Sequence, residues 1–211
     1  HAAVMDPICN AYKAIVQEAK VLPGDNVVIY GNGPLGLFSV LIARLINAAR
    51  IIVIGTRRSA PTRNPICEEL GATDILMADD PDVVRKVKEI CGEDGVAAVI
   101  NCASRSANIL PEAVRMLRPG GAFIMVGYTR TAVSYEEDPA DLMGHKGVTF
   151  IGHMGYDHTS WRNTLALYRE GRVNMDPIVT HKLPLSKWRE GFEMFTNREA
   201  AKVVLVPELD Q

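Results

Sequence analysis

Three glycines in one short segment carry the clearest chemical signal in the sequence. Gly31, Gly33 and Gly36 belong to the segment GNGPLG, which follows an apolar run and opens an apolar helical segment. In such a turn the first glycine permits the tight bend, the second lets the backbone approach a pyrophosphate, and the third lets the helix pack closely on the strand. With Pro34 and Leu35 they predict a dinucleotide-binding loop whose phosphates lie at the N-terminus of the helix. The alternative is a turn that merely links a strand to a helix.

The residues after the second predicted strand bear on which dinucleotide would bind. About 20 residues past the last glycine, an NAD site usually supplies Asp or Glu to the ribose 2′-hydroxyl, whereas this chain has Gly55, Thr56, Arg57 and Arg58. A guanidinium forms a charge-assisted pair with a 2′-phosphate, which a carboxylate would repel. The sequence therefore favours NADP over NAD, with Arg57 and Arg58 unranked and Thr56 as a candidate hydroxyl donor. The alternative is that both arginines are solvated loop residues.

The apolar pattern predicts the elements that must position these residues. Six short runs that are apolar throughout alternate with helical segments, which is typical of parallel strands with helices on both faces of the sheet. We therefore expect an α/β fold with a doubly wound, six-stranded parallel sheet. The predicted strands are 27–30, 50–55, 74–77, 96–102, 122–127 and 148–152, and the predicted helices are 6–20, 35–48, 64–70, 81–90 and 107–117.

The regular alternation of apolar strands and helical segments ends after residue 152. The elements that follow have no obvious place in a completed six-stranded sheet. We therefore expect residues from about 158 onward, together with 1–11, to belong to a second structural unit that the chain contains only in part. The bounds predicted for these elements are 160–170 and 185–196 for helices and 178–183 and 202–206 for strands.

Composition and charge exclude several classes of protein. The 211 residues are 47% hydrophobic and 23% charged, as in an ordinary globular protein, and a net charge of −2 offers no basic field to a nucleic acid. The longest apolar run, 35–46, is broken by Ser39 and Arg44 and falls short of the roughly 18 residues that cross a membrane. We therefore expect neither a nucleic acid nor a membrane as partner. The four cysteines form no C-x-x-C pair, which predicts no self-contained zinc site. A large apolar core does not need disulfides, so we expect reduced thiols and a cytoplasmic location.

Three segments occur in an order that is specific when they are taken together. They are GNGPLG after VVIY, LRPGGAFIMVG at 117–127, and PIVTHKLPLSKWREGFEMF from Pro177. They resemble the zinc-dependent medium-chain dehydrogenase/reductase family, which includes the alcohol dehydrogenases. Asp6-Pro7 followed by Asn10-Ala11, GHMG at 152–155 and THKLPL are most similar to its sorbitol (polyol) and threonine dehydrogenase branch. The resemblance covers essentially the whole chain.

The resemblance implies two structural units. A Rossmann-type, NADP-binding domain over residues 12–157 would be inserted into a GroES-like catalytic domain, to which 1–11 and 158–211 would contribute in part. The family's catalytic zinc ligands, a Cys and a His-Glu pair, lie in a preceding segment of about one domain's length, and no residue of this sequence matches them. No catalytic residue is therefore assigned here, and zinc is expected only in the intact enzyme.

One position near the family's metal has a match in this sequence. In this branch an acidic residue before the Pro that opens the first helix lies near the zinc, as a ligand or through water, and Asp6 matches it. A carboxylate there could neutralise a divalent ion or take part in proton movement. The alternative is that Asp6 is the N-cap of a helix that begins at Pro7.

The resemblance also implies nicotinamide contacts at the carboxyl ends of the fourth and fifth predicted strands. Ligands bind at this edge of such sheets. For Cys102, a small buried residue is favoured over a nucleophile, and His153 and Met154 are candidates for approaching the same cleft. The matching residues are Cys102, Ala103 and Ser104, followed by Val126, Gly127 and Tyr128.

These implications lead to one expected function and two alternatives. We expect the nicotinamide-binding part of a zinc- and NADP-dependent alcohol or polyol dehydrogenase, with hydride transfer between NADP(H) and the alcohol or carbonyl carbon of a small molecule. The edge strand 148–152 would pair with its twin in a homo-oligomer, a dimer or tetramer. The alternatives are a dinucleotide-binding module without catalysis and a zinc-free quinone or enoyl reductase of the same superfamily.

Overall fold

Six parallel strands form the central sheet in the computed structural model, which describes residues 2–103, 108–128 and 144–207. The strands are β1 (Asn26–Tyr30), β2 (Arg50–Gly55), β3 (Asp74–Met77), β4 (Val96–Asn101), β5 (Leu117–Met125) and β6 (Thr149–Gly152). The helices before and between them are α1 (Met5–Tyr12), α2 (Pro34–Leu45), α3 (Ala60–Leu70), α4 (Val83–Cys91) and α5 (Ile109–Met116). The strand order is β3-β2-β1-β4-β5-β6, so the winding of the chain reverses between β1 and β4. The predicted doubly wound α/β fold is confirmed.

Both faces of the central strands β1, β2 and β4 are buried, as strands that are apolar throughout predict. Side chains of β1 alternate between two hydrophobic clusters, because successive residues of a strand point to opposite faces. Val27 and Ile29 pack in the cluster that contains α1 and α2, whereas Val28 and Tyr30 pack in the cluster that contains α4 and α5. Among the described residues, no helix is long and apolar enough to span a membrane.

Four further elements follow the sheet. They are α6 (His158–Arg169), β7 (Val179–Pro184), α7 (Trp188–Thr196) and β8 (Lys202–Val206), of which β7 and β8 pair in parallel as a separate two-stranded sheet. Helix α6 packs against α1. Val173, Met175 and Ala201 belong to the same buried cluster as α1 and α2. The division into 12–157 against 1–11 and 158–211 stays a prediction.

The helices begin one to four residues from the predicted starts, and two of these starts lie near a proline. The predicted start at Asn64 is wrong, because α3 begins at Ala60 and carries Pro61 in its first turn. A proline is accommodated there since the N–H that it lacks would have no partner within the helix. The predicted start at Pro81 is also wrong, because α4 begins at Val83. Proline thus marks the neighbourhood of a helix start without fixing its residue.

The interpretation of Asp6 as a helix N-cap is wrong. Helix α1 begins at Met5, and Val4 occupies the N-cap position without a side-chain hydrogen bond. Met5 is itself buried in the core, so the apolar face of the helix starts ahead of the Asp-Pro pair. The helix continues beyond Tyr12 as a π-helical turn over Lys13–Glu18.

Strand β5 is longer than predicted. It begins at Leu117, so Pro119-Gly120-Gly121, which the sequence predicts as a turn, lies within the strand. A register shift between Val96 and Ala98 of the neighbouring β4 accommodates this segment. Bulges of this kind admit a residue that cannot donate to the ladder.

Candidate functional site

The glycine loop follows the carboxyl end of β1 and leads directly into α2. Gly31 has a φ of +97°, a left-handed conformation that glycine adopts without strain. Its N–H donates to the carbonyl oxygen of Ile54 in β2 at 2.8 Å. A Cβ at Gly36 would lie 1.8 Å from the carbonyl oxygen of Gly31. Helix and loop therefore approach so closely that no side chain fits between them.

Gly33 faces open space at the start of α2. It occupies the N-cap position, and Pro34 is the first helical residue. Apart from Gly33 itself and its two chain neighbours, the one described atom found within 4 Å of a Cβ built at Gly33 is Nη1 of Arg63, at 3.8 Å. The first N–H groups of a helix have no partner within the helix. The backbone here can therefore receive an anion that comes close to Gly33.

A cavity of about 470 Å³ opens in front of Gly33. It lies at the carboxyl ends of β1, β4 and β5, where the winding of the sheet reverses and ligands of such folds bind. Its volume falls within the range of small-molecule and cofactor sites. The predicted site residues that line it are Asp6, Gly33, Pro34, Leu35, Cys102, Val126 and Tyr128. The structure thus brings the glycine loop and the two strand ends together.

Several lining residues have no counterpart among the predicted site residues. Phe195 and Lys202 come from the C-terminal unit, which folds back over the glycine loop. Phe195 ends the segment from Pro177 that carries the resemblance, but no local pattern marks either residue as part of a site. Asn10 lies one helical turn after Asp6, and this spacing could have indicated it. The remaining residues of the lining are Pro7, Gly155 and His153, of which His153 is the one expected near the cleft.

Ala103 and Gly127 hold the ends of β4 and β5 together instead of lining the cavity. The N–H of Ala103 donates to Oδ1 of Asn101 at 3.0 Å, and the N–H of Gly127 donates to the carbonyl oxygen of Asn101 at 2.7 Å. A Cβ at Gly127 would lie 2.1 Å from the carbonyl oxygen of Ala103. The two strand ends therefore stay in backbone contact. Ser104 lies outside the described residues.

Thr56 belongs to a hydrogen-bonded network between the glycine loop and α3. Its hydroxyl lies 2.9 Å from that of Ser59, which donates to Oδ1 of Asn32 at 2.7 Å. Nδ2 of Asn32 donates to Oδ1 of Asn64 at 3.1 Å. A Cβ at Gly55 would lie 2.7 Å from Nδ2 of Asn32. The Asn32 side chain thus occupies the space that an acidic side chain at position 55 would need.

Arg57 and Arg58 are exposed beside this network. Nε of Arg57 lies 2.7 Å from Oδ2 of Asp79, and these two side chains are 72% and 58% exposed. An exposed pair of this kind contributes little to stability, so Arg57 can exchange Asp79 for a more highly charged anion. Two positive charges therefore lie next to the end of β2, outside the cavity itself.

A chain of hydrogen bonds connects Asp6 with the buried side chain of His153. Nδ2 of Asn10 donates to the carbonyl oxygen of Asp6 at 2.9 Å and to its Oδ1 at 3.3 Å, which leaves Oδ1 of Asn10 facing Nε2 of His153 at 3.1 Å. Nδ1 of His153 lies 2.7 Å from Oε2 of Glu18, whose carboxylate also pairs with Lys13 at 3.5 Å. Side-chain oxygen atoms thus face both ring nitrogens and hold the ring in place between Glu18 and Asn10.

Cys102 lies at the end of β4 with its thiol against Ser39. Burial raises the pKa of this thiol to about 11, and the contact with the Ser39 hydroxyl at 3.5 Å offsets only part of the rise. The thiol is therefore protonated at neutral pH, which makes it a poor nucleophile. A packing role in the cavity wall fits these properties.

The described residues form no complete metal site. Among them, no three His, Cys, Asp or Glu side chains lie close enough together to hold a metal ion. Asp6 carries the one carboxylate among the described residues that line the cavity. A catalytic zinc ion takes about three protein ligands. Asp6 and its neighbours therefore do not fit a zinc ion by themselves.

A doubly wound sheet with a glycine loop and a cavity at its switch point defines the class of dinucleotide-binding α/β proteins. Residues 34–170 match the sequence profile of the zinc-binding dehydrogenases. The chain therefore belongs to the zinc-binding dehydrogenase family, and the resemblance found in the sequence is confirmed.

Relatives and solved structures agree with this assignment. The chain is 43% identical over all 211 residues to the zinc-type alcohol dehydrogenase-like protein YdjL of Escherichia coli K12, of which it covers 58%. It is 30% identical over 207 residues to an L-threonine 3-dehydrogenase of Bacillus velezensis, covering 98% of this chain and 58% of that protein. The alcohol dehydrogenase TADH of Thermus sp. ATN1 superposes with a TM-score of 0.83 and 31% identity, over 95% of this chain and 56% of that one. The chain thus spans somewhat more than half the length of these relatives.

Proposed function

We propose that the chain is the nicotinamide-binding part of an NADP-dependent alcohol or polyol dehydrogenase of the zinc-binding family. The single observation that carries the proposal is the glycine loop. Gly33 faces open space at the N-terminus of α2, while Gly36 packs against the backbone of Gly31. This combination leaves backbone N–H groups free to receive the phosphates of a dinucleotide.

The chain's own residues divide the binding of the dinucleotide between two ends of the cavity. At one end, the first turn of α2 would hold the diphosphate, and Lys202 adds a positive charge to the same wall. At the other end, Cys102, Val126 and Tyr128 would orient the nicotinamide and exclude water from it. When bound, the nicotinamide supplies a site that accepts or donates a hydride.

The charges after β2 support NADP over NAD. Gly55 stands where an acidic side chain would hold the ribose of NAD, and Asn32 fills the space beside it. Arg57 and Arg58 offer exposed guanidinium groups to a 2′-phosphate, with which they would form charge-assisted hydrogen bonds. Thr56 would position this turn through its contact with Ser59.

The substrate that we propose is a small alcohol or the corresponding carbonyl compound. The names of the relatives, alcohol dehydrogenase and L-threonine 3-dehydrogenase, support this class. Asp6 is the carboxylate that would face such a substrate, and its hydrogen bonds with Asn10 hold it in place. It could join a metal ion only with ligands from outside the described residues.

Two further expectations are proposals of the same kind. We infer that β6 pairs with β6 of a second copy, because it is one of the two edge strands of the sheet and its Phe150 is 41% exposed. We also infer a cytoplasmic location. The four cysteines are free thiols, which supports a reducing compartment.

Fluorescence titration of the 211-residue chain with NADPH and with NADH tests the proposed function. We expect saturable binding of both, with NADPH bound at least about tenfold more tightly, the effect of one charge-assisted hydrogen bond. A folded chain that binds neither dinucleotide would overturn the proposal. Equal affinities would overturn the preference for NADP alone.

A further inference from the structure

His153 lies buried at the end of the cavity where the nicotinamide would bind. It is 6% exposed and lines the cavity together with Val126. Its backbone N–H donates to the carbonyl oxygen of Met125 at 3.1 Å, so the ring is carried by backbone that is bonded to the end of β5. Nδ1 of the ring faces Oε2 of Glu18 at 2.7 Å, and Nε2 faces Oδ1 of Asn10 at 3.1 Å. Contacts at both nitrogens hold the ring in one orientation.

A π-helical turn brings together the two charged residues that anchor this ring. Lys13 and Glu18 are five residues apart, which an α-helix would place about 140° apart around its axis. The i→i+5 turn over Lys13–Glu18 instead lets Nζ of Lys13 approach Oε1 of Glu18 to 3.5 Å. The same Nζ donates to the carbonyl oxygen of Met154 at 3.1 Å. Glu18 is thus fixed in place before it contacts His153, and turns of this rare kind are frequent at functional sites.

The partners of Asn10 define which way its side-chain amide points. Nδ2 of Asn10 donates to the carbonyl oxygen of Asp6 at 2.9 Å and to Oδ1 of Asp6 at 3.3 Å. A carbonyl oxygen only accepts hydrogen bonds, so the amide nitrogen belongs on the side of Asp6 and the amide oxygen on the side of His153. That amide oxygen also only accepts, so Nε2 of His153 is the donor. The ring therefore selects the orientation in which Asn10 donates to Asp6.

The charges that line the cavity suit the two ends of a nicotinamide dinucleotide. Lys202 adds a positive charge to the wall proposed for the diphosphate, whereas Asp6 carries the one carboxylate among the described lining residues. The bonds from Asp6 through Asn10 to His153 connect this carboxylate with the nicotinamide end. The ring of an oxidised nicotinamide carries a positive charge, and that of a reduced one does not. A carboxylate held at this end would therefore attract the oxidised cofactor more strongly.

We propose that His153 is a positioning residue, which holds the Asp6 carboxylate at the nicotinamide end through the side chain of Asn10. The inference rests on the proposed function, because it takes a nicotinamide dinucleotide as the ligand of the cavity. Glu18 anchors the ring, Asn10 passes its orientation on, and Asp6 supplies the charge that meets the oxidised nicotinamide. The ratio of the affinities for NADP⁺ and NADPH therefore depends on His153.

Titrations of the 211-residue chain with three ligands test this role. The ligands are NADP⁺, NADPH and 2′-phospho-ADP-ribose, which lacks the nicotinamide. His153→Leu should weaken the binding of NADP⁺ about three- to tenfold, the effect of about one hydrogen bond to a charged group. The affinities for NADPH and for 2′-phospho-ADP-ribose should stay close to the wild-type values. His158→Leu is the matched control, since His158 is exposed at the start of α6.

Two conservative variants separate the two contacts of the ring. The amide nitrogen of His153→Gln reaches about as far as Nε2, so it can donate to Asn10 and should restore most of the NADP⁺ affinity that His153→Leu loses. The amide nitrogen of His153→Asn reaches only about as far as Nδ1. This variant keeps a donor for Glu18 and should bind NADP⁺ as weakly as His153→Leu. The reverse order would overturn the role of Asn10, and this pair gives the answer if His153→Leu does not fold.

A double-mutant cycle tests whether His153 acts through Asp6. Asp6→Asn removes the negative charge and should by itself weaken NADP⁺ binding about three- to tenfold. Adding His153→Leu to Asp6→Asn should then cause no further loss, because the charge that the ring positions is already absent. Losses that multiply in the double variant would show that the two residues act independently and would overturn the inference.

The outcomes separate the inference from the proposed function. If His153→Leu weakens all three ligands equally, or leaves NADP⁺ binding unchanged, the positioning role is overturned and the proposed function stays intact. Long-range ¹H–¹⁵N NMR of the chain with labelled histidine needs no nucleotide. It should find a hydrogen on Nε2 of His153, and an Nε2 without hydrogen would overturn the role. A folded wild type that binds neither NADP⁺ nor NADPH would overturn the proposed function and the inference together.

Discussion

The carbonyl oxygen of Gly31 lies 1.8 Å from the point where Gly36 would carry a Cβ. The obstructing atom belongs to the backbone, so it cannot turn aside as a flexible side chain would. We expect Gly36→Ala to lower the free energy of unfolding by at least about 1–3 kcal/mol, the cost of forcing atoms into a packed interior. Urea unfolding followed by circular dichroism measures this loss.

Gly152→Ala is the control for this experiment. A Cβ at Gly152 meets no described atom within 4 Å, so the free energy of unfolding should stay within about 0.5 kcal/mol of the wild type. If Gly36→Ala were as stable as Gly152→Ala, the close contact between helix and loop could not be what holds α2 in place.

A second prediction concerns the preference for NADP. Replacement of Arg57 and Arg58 together by Ala should weaken the binding of NADPH about 10- to 100-fold, because hydrogen bonds between charged groups are lost. The binding of NADH should not change, since it carries no 2′-phosphate. Stability should also be retained, because the pair between Arg57 and Asp79 is exposed. Equal losses of affinity for NADPH and NADH would contradict the assignment of Arg57 and Arg58 to the 2′-phosphate. Arg85→Ala, at another exposed arginine, serves as the control.

The third prediction concerns the pH dependence of stability. The Tyr30 hydroxyl donates to the half-buried carboxyl group of Glu112, between β1 and α5. Burial raises the pKa of Glu112 above its ordinary 4.5, and the hydrogen bond from Tyr30 and the charge of Arg115 reduce that rise. A carboxyl group with a raised pKa in the folded state contributes stability that is fully present below its unfolded pKa. That contribution is lost as the pH rises through the folded pKa.

Glu112→Gln should therefore remove this part of the pH dependence. Urea unfolding of both proteins from pH 4.5, the ordinary pKa of the group, up to about pH 8, where stability is usually still high, makes the comparison. As the pH rises, the variant should gain stability relative to the wild type. A constant difference across the whole range would show that Glu112 has the same pKa in the folded and unfolded chains.

The fourth prediction concerns the C-terminal end of α5. Nζ of Lys146 donates to three backbone carbonyl oxygens, those of Val114 at 3.0 Å, Arg115 at 3.1 Å and Leu117 at 2.7 Å. The last carbonyl groups of a helix have no partner within it, and a cation there also complements the helix dipole. Lys146→Met should therefore lower the free energy of unfolding by about 1–3 kcal/mol, as measured by urea unfolding. An unchanged midpoint would contradict this capping role.

The strands could be predicted from the sequence because burial on both faces leaves a local mark. Val27 to Tyr30 are apolar without interruption, and β1 occupies this segment in the middle of the sheet. The starts of helices leave a weaker mark. Asp6-Pro7 has the composition of a helix start, yet α1 begins at Met5, because the buried contacts of Met5 outweigh the local preference.

Some residues of the candidate site could also be predicted from the sequence, and others could not. The glycine loop could be predicted, since its function requires particular residues at fixed spacing within one turn. Lys202 and Arg63 could not, because their positions depend on how the C-terminal unit folds back over that loop. An arginine in a helix is usually expected at the protein surface. Arg63 is instead covered by Phe195 and Ala200, which are distant from it in the sequence.

Substitution of Gly33 tests most directly the claim that the loop binds a dinucleotide. Gly33 has a φ of −74°, which any residue adopts, and a Cβ there meets Arg63 at 3.8 Å, an ordinary contact. Gly33→Val should therefore fold, with an unfolding temperature within about 4 °C of the wild type, the effect of a poorer N-cap. Its side chain would nevertheless occupy the space where a phosphate must approach the backbone.

Isothermal titration with NADPH makes the measurement. We predict saturable binding by the wild type and binding at least about 100-fold weaker by Gly33→Val, because several hydrogen bonds to the phosphates would be lost. A folded wild type that binds no NADPH, or a Gly33→Val chain that binds it as tightly as the wild type, would contradict the claim.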